Sequence, residues 1–129
     1  MEVLTADANE FAPEAAGLSA GSFDRVLSVE MFEHVRNWEA LLARVARWLA
    51  PDGRAFLHHF CHRDLAYTYE DRGGNDWMAR HFFSGGLMPS AEFAGRFARG
   101  LEGAARWSGG GSHYARTREA WLRNLGAAR

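Results

Sequence analysis

Apolar positions along this chain change their spacing from one stretch to the next. In Phe23-Asp24-Arg25-Val26-Leu27-Ser28-Val29 they run together around a single Ser28. That is the pattern of a central strand covered on both faces. From Asn37 the spacing becomes helical: Trp38, Leu41, Leu42, Val45 and Leu49 fall on one stripe, with Trp48 beside it and Asn37 placed to cap. Pro51-Asp52-Gly53 stops that helix, and Arg54 to Phe60 reads as the next strand. Strand, helix and strand over Phe23 to Phe60 predict a βαβ unit with parallel strands and a right-handed crossover.

The flanking segments are less regular. Glu2 to Ala6 is a short strand candidate ending at Asp7, and Pro13 to Gly21 reads as a short helix and then a turn. From Cys61 the pattern loses its period. His62 to Gly86 mixes Tyr67, Tyr69, Trp77, Phe82 and Phe83 with glycines and charges, as an insertion or lid over a site would. Pro89 and Ser90 open a further helix in which Phe93 and Phe97 face inward. Leu101 to Trp107 is read as a weak strand, Gly109 to Gly111 as a loop, and His113 to Leu125 as a closing helix that packs through Trp121, Leu122 and Leu125. The expected organisation is one domain over 1–129: a βαβ core in 1–60, an aromatic lid in 61–88, and helices with a connecting segment in 89–129.

Composition narrows the class. The 129 residues are 47% hydrophobic, enough for one sizeable core. A formal net charge of -1 leaves no footprint for nucleic acid or an anionic membrane. All 15 basic residues are arginines, which we read as compositional bias. The single cysteine excludes an intrachain disulfide. No apolar run approaches the roughly 18 residues of a membrane span, and the start shows no signal-peptide pattern. A soluble, cytoplasmic protein is expected.

Chemistry concentrates at the carboxyl end of the first long strand. Glu30, Glu33 and His34 follow the apolar run directly, where ligands bind in open α/β sheets. A carboxylate beside an imidazole suits a general base. The alternative is a helix start whose acids complement the dipole. His58, His59, Cys61 and His62 invite a zinc reading, but on a strand His58 and His59 point to opposite faces, so no metal is expected. Asp7 at a strand end could bond a ribose or an adenine amine, or simply close a turn. His113-Tyr114 with Arg116 and Thr117 could clamp a substrate or start a helix. No glycine-rich strand-to-helix loop of the nucleotide-binding kind precedes Asp7.

These runs carry a resemblance. Phe23 to His34, with its Glu-Met-Phe-Glu-His end, resembles the fourth-strand motif of the cyclopropane-fatty-acid-synthase-like S-adenosylmethionine methyltransferases, in particular the coclaurine N-methyltransferase-like branch. His58 to Arg63, Asp76-Trp77-Met78, Phe82 to Ser90 and His113 to Leu122 follow in that branch's order. The resemblance implies an α/β fold: a partial class I methyltransferase, Rossmann-like sheet with helices on both faces. The family's first two strands, its glycine-rich loop and its ribose-binding acid have no counterpart here. It implies S-adenosyl-L-methionine as cofactor, contacted by Asp7, Ala8, Ser28 and Glu30. Glu33 and His34 match the pair that binds and deprotonates an acceptor amine, with Glu30 and Tyr114 orienting. In the cyclopropane synthases the positions of Glu33, His58 and Tyr114 instead hold a bicarbonate base. The expected partner is a small-molecule amine, with a lipid alkene as the alternative acceptor. An incomplete sheet also carries an expectation of self-association, or of a chain with no activity of its own.

Overall fold

The computed structural model describes residues 3–74 and 76–128. Its centre is the expected βαβ unit. Strand β1 (Phe23–Val29) leads through a 3-10 turn (Phe32–His34) to helix α1 (Trp38–Trp48), which passes directly into β2 (Leu49–His58). The two strands are parallel, with Val26 opposite Ala55, Ser28 opposite Leu57 and Val29 opposite His58. The second strand starts earlier than its sequence predicts and absorbs Pro51-Asp52-Gly53 as an irregularity. Phe23 pairs with Leu49 while Arg25 pairs with Arg54, so β2 spends the extra residues in a bulge. Gly53 makes the bulge possible: a Cβ there would lie 2.7 Å from the Phe23 carbonyl oxygen.

Helix α1 forms as its stripe requires. The Asn37 side chain accepts from the Ala40 N–H at 3.3 Å, and Trp38, Leu41, Leu42 and Val45 are buried. Phe32, Trp38, Leu41, Leu42 and Leu87 form the core cluster, with Ala8, Leu57, Phe93 and Phe97 packed around it. Each such side chain contributes about 1.5–3 kcal/mol when fully buried. The Trp38 indole N–H donates to the Phe32 carbonyl at 2.9 Å, so the largest core residue also ties the strand-end turn to the helix.

After β2 the chain forms small pieces: β3 (Tyr67–Thr68), α2 (Trp77–His81), β4 (Leu87–Met88) and α3 (Phe93–Phe97). β3 and β4 pair antiparallel, Tyr67 with Met88 and Thr68 with Leu87. His62 bridges to Ser90, its N–H donating to the Pro89 carbonyl at 2.8 Å. Helix α4 (Ser112–Ala127) ends the described chain.

Four expectations are corrected. Val3 to Ala6 is not a strand and Glu2 lies outside the described residues; Val3 and Leu4 are exposed, with β propensity but no neighbour to pair with. Leu101 to Trp107 is irregular: Leu101 packs on the core, and the Gly-Ala-rich remainder is exposed. Trp121, Leu122 and Leu125 do not pack into the core, being 58–69% exposed; Trp121 meets Tyr114 of its own helix, edge-on at 6.5 Å. β1 is covered on one face only, since Leu27 is 71% and Val29 60% exposed. Among the described residues β2 is the one strand paired with β1, so its other edge is open.

Candidate active site

The carboxyl end of β1 delivers its side chains to different places. Glu30 turns the chain in a left-handed backbone conformation, φ 55°, a region non-glycine residues seldom occupy. Its N–H donates to the His58 carbonyl at 2.9 Å, which extends the ladder by one step. Its carboxylate reaches the same residue: Oε1 lies 2.6 Å from His58 Nδ1. The approach is close but not aligned along an N–H direction, and that solvent-shielded Oε1 has no directional hydrogen bond.

Glu33 sits inside the following 3-10 turn and is 1% exposed. Its Oε1 accepts a short hydrogen bond from the Phe60 N–H, just beyond β2, while Oε2 is buried without a partner. A buried carboxylate oxygen with nothing to accept from is costly and is seldom left so without a purpose. His34, next along, is exposed, and its ring packs against Phe83 (5.3 Å between centroids) and Phe82 (6.2 Å). The carboxylate is thus held from behind and the imidazole is presented outward beside it.

The aromatic stretch supplies the neighbouring wall. Tyr69 stacks on Phe83, with ring centroids 4.5 Å apart and planes 7° from parallel. Burial, then neighbouring Tyr67, then the negative charge of Glu33 push the Tyr69 phenol up to about 12. Tyr69 therefore stays a neutral hydroxyl beside Glu33 throughout the physiological range. At the other side, Tyr114 packs edge-on against Phe60 at 5.4 Å, so the start of α4 reaches the residue that anchors Glu33.

The remaining candidates fall elsewhere. The Asp7 carboxylate accepts from the Asn9 N–H at 2.7 Å, the ordinary turn chemistry that was its alternative, and Ala8 packs against the core. Ser28 is buried on the α1 side with its hydroxyl unpartnered. His58 and His59 do point apart: His58 to Glu30, and His59 edge-on to Trp38 at 5.1 Å. His62 uses Nδ1 to accept from the Asp64 and Leu65 amides. Among the described residues no three His, Cys, Asp or Glu side chains converge on a metal position. Sequence reasoning assigned no part to Arg36. Its Nε donates to the Gly85 carbonyl at 2.7 Å, and its only signal was a charge immediately after the catalytic-looking run.

Comparison with known proteins places the chain in a family. Residues 7–129 match the family described as mycolic acid cyclopropane synthetase. The chain belongs to that family, and its fold is that of the S-adenosylmethionine-dependent methyltransferases. Among its relatives, the (S)-coclaurine N-methyltransferase of Thalictrum flavum subsp. glaucum is 41% identical over 108 residues, 82% of this chain and 30% of that protein. The Papaver somniferum enzyme of the same name is 34% identical over 127 residues, 97% of this chain and 34% of its own length. The cyclopropane-fatty-acyl-phospholipid synthase of Escherichia coli K12 is 31% identical over 108 residues, 82% of this chain and 27% of that protein. A crystal structure of coclaurine N-methyltransferase bound to N-methylheliamine and SAH superposes with a TM-score of 0.83 at 36% identity, covering 98% of this chain and 37% of that one. The chain spans about a third of the length of the curated relatives it matches.

Proposed function

We propose that this chain carries the acceptor side of an S-adenosylmethionine-dependent N-methyltransferase site, and that its acceptor is a small-molecule amine. The observation that carries the reading is Glu33: a buried carboxylate fixed through Oε1 with Oε2 free, beside an exposed imidazole. Glu33 is suited to hold a protonated amine, and a ring nitrogen of His34 to take its proton. With that proton on His34, the acceptor nitrogen would hold a free lone pair able to take a methyl group. When bound, S-adenosylmethionine supplies the activated methyl group and departs as S-adenosylhomocysteine.

The residues present fit one part of that cofactor's surroundings. Ser28 Oγ and Glu30 Oε1 are buried polar atoms without directional partners at the strand end. With Asp7 and Ala8 they are the positions proposed to meet the cofactor. Glu30, braced by His58, and Tyr114, braced on Phe60, would orient the acceptor. The arrangement works mainly by positioning, because holding donor and acceptor in line supplies most of what such a transfer needs. The domain division into core (1–60), lid (61–88) and terminal helices (89–129) belongs to the same reading. So does a cytoplasmic setting, with which a chain that has no intrachain disulfide is compatible.

The test is methyl transfer to an amine with Glu33→Gln and His34→Ala, in this chain and at the matching positions of the Thalictrum relative. Each substitution is expected to cost about 10²–10⁴-fold in rate. Undiminished transfer by both variants would overturn the assignment. A lipid alkene acceptor is the second reading, favoured by the Escherichia coli relative. A product assay offering both acceptors decides between the two.

A further inference from the structure

The turn carrying Glu33 and His34 is joined to the base of the lid by two residues with no assigned role, one on each side. Gly86 lies against its backbone: a Cβ at position 86 would stand 2.3 Å from the Glu33 carbonyl oxygen, 3.3 Å from its carbonyl carbon and 3.4 Å from the His34 Cα. All three neighbours are main chain, so no side chain can swing aside to admit a methyl group. Gly86 is also held from the lid side. Its N–H donates to the Phe83 carbonyl and its carbonyl accepts from the Tyr69 N–H, both at 3.0 Å. The next residue, Leu87, is buried in the core.

Arg36 grips the same place from the turn side. Its Nε donates to the Gly85 carbonyl at 2.7 Å, and its Nη2 reaches the Tyr69 carbonyl at 3.5 Å. One guanidinium therefore spans both strands of the lid's base, a geometry suited to the planar, forked donor of arginine. Both grips engage the main chain of Tyr69, whose ring stacks on Phe83, and Phe83 lies against His34.

We propose that Gly86 and Arg36 are positioning residues, which seat the Tyr69–Phe83 wall against the Glu33–His34 turn and so set the orientation of the His34 ring toward the acceptor. This rests on the N-methyltransferase reading for its catalytic meaning, but the seating itself is a property of the chain. The base of the lid is thereby a fixed wall beside His34. Neither grip residue touches the reacting atoms; both act through His34.

The experiment is NMR of the full chain, reading the His34 ring protons and the exchange rate of the Tyr69 amide, with His34→Gln to assign the ring signals. In Gly86→Ala the His34 ring protons should lose the ring-current shift from Phe83, and Tyr69 amide exchange should accelerate at least about tenfold through local opening. Gly95→Ala, where a new Cβ meets nothing within 4 Å, should change neither. Should Gly86→Ala fail to fold, Arg36→Gln gives the same readout without a clash; its expected changes run in the same direction and are smaller. Unaltered His34 signals and Tyr69 exchange in a folded Gly86→Ala, or in Arg36→Gln where that variant stands in, would overturn the proposal. Where methyl transfer is measurable, both grip variants should lower kcat and displace its pH profile while the dissociation constant of S-adenosylmethionine stays put. If no methyl transfer is found at all, the N-methyltransferase reading fails while the two NMR signals still decide the seating.

Discussion

The two faces of the β1–β2 ladder share a backbone and differ in everything laid on it. On one side Ser28 and Leu57 lie beneath α1, and Phe32, Trp38, Leu41 and Leu42 close into a core that Leu87 joins from the lid. On the other side Leu27, Val29 and Phe56 are exposed although their side chains are no less apolar. Hydrophobicity does not separate the faces; a covering element does. The candidate site inherits this asymmetry, since Glu33 is rigidly placed by the covered side and Glu30 is steadied mainly by His58.

The largest effect that should expose the difference is Phe32→Ala. Removing a buried ring from beneath Trp38 is expected to cost about 3–5 kcal/mol, measured by urea unfolding. A loss under about 1 kcal/mol would mean that the covered side is not the stabilising one. Asn37→Ala should follow at about 1 kcal/mol, through loss of the cap that starts α1. On the open face, Leu27→Ser should change stability by no more than about 0.5 kcal/mol. A loss as large as that of Phe32→Ala, together with a fall in sedimentation coefficient, would show that this face is covered in solution by a second copy.

The smallest effect is local and tests the lid's outer turn, which charge holds where burial does not. The Arg80 guanidinium and the Gly73 N–H hold the Asp71 carboxyl down at about 2, below its ordinary 3.8. A depressed carboxylate stabilises only while ionised, so this contribution is full above the ordinary value and lost as pH falls through about 2. Arg80→Gln should return the midpoint toward 3.8, followed by carboxyl NMR. A midpoint left near 2 would remove the ion pair from the account.

What could be read from the sequence follows the same division. α1 was legible because its stripe, cap and stop agree, and β1 because four residues there leave little choice but a strand. The candidate site was legible at Glu33 and His34 because ionisable groups at the end of an apolar run have no evident packing reason to be there. Leu101 to Trp107 misled because Leu101 and Trp107 bracket the stretch like a strand, whereas Gly103, Ala104 and Ala105 offer nothing to pack. The stripe of Trp121, Leu122 and Leu125 is real, yet a stripe cannot disclose whether a surface waits for it. Gly86 gives no signal in the sequence, because a glycine's reason is the atom that fills the space where its Cβ would be.

Glu30 marks a place where the molecule has accepted a worse backbone for a better side chain. A glycine at position 30 would hold φ 55° with no steric penalty, but it would bring no carboxylate to His58. Glu30→Gly is therefore a substitution that selection for durability alone would welcome and that the orienting role proposed for Glu30 would refuse. A library of this chain screened only for thermal tolerance should drift toward glycine there, discarding the acid without any sign of damage to the fold.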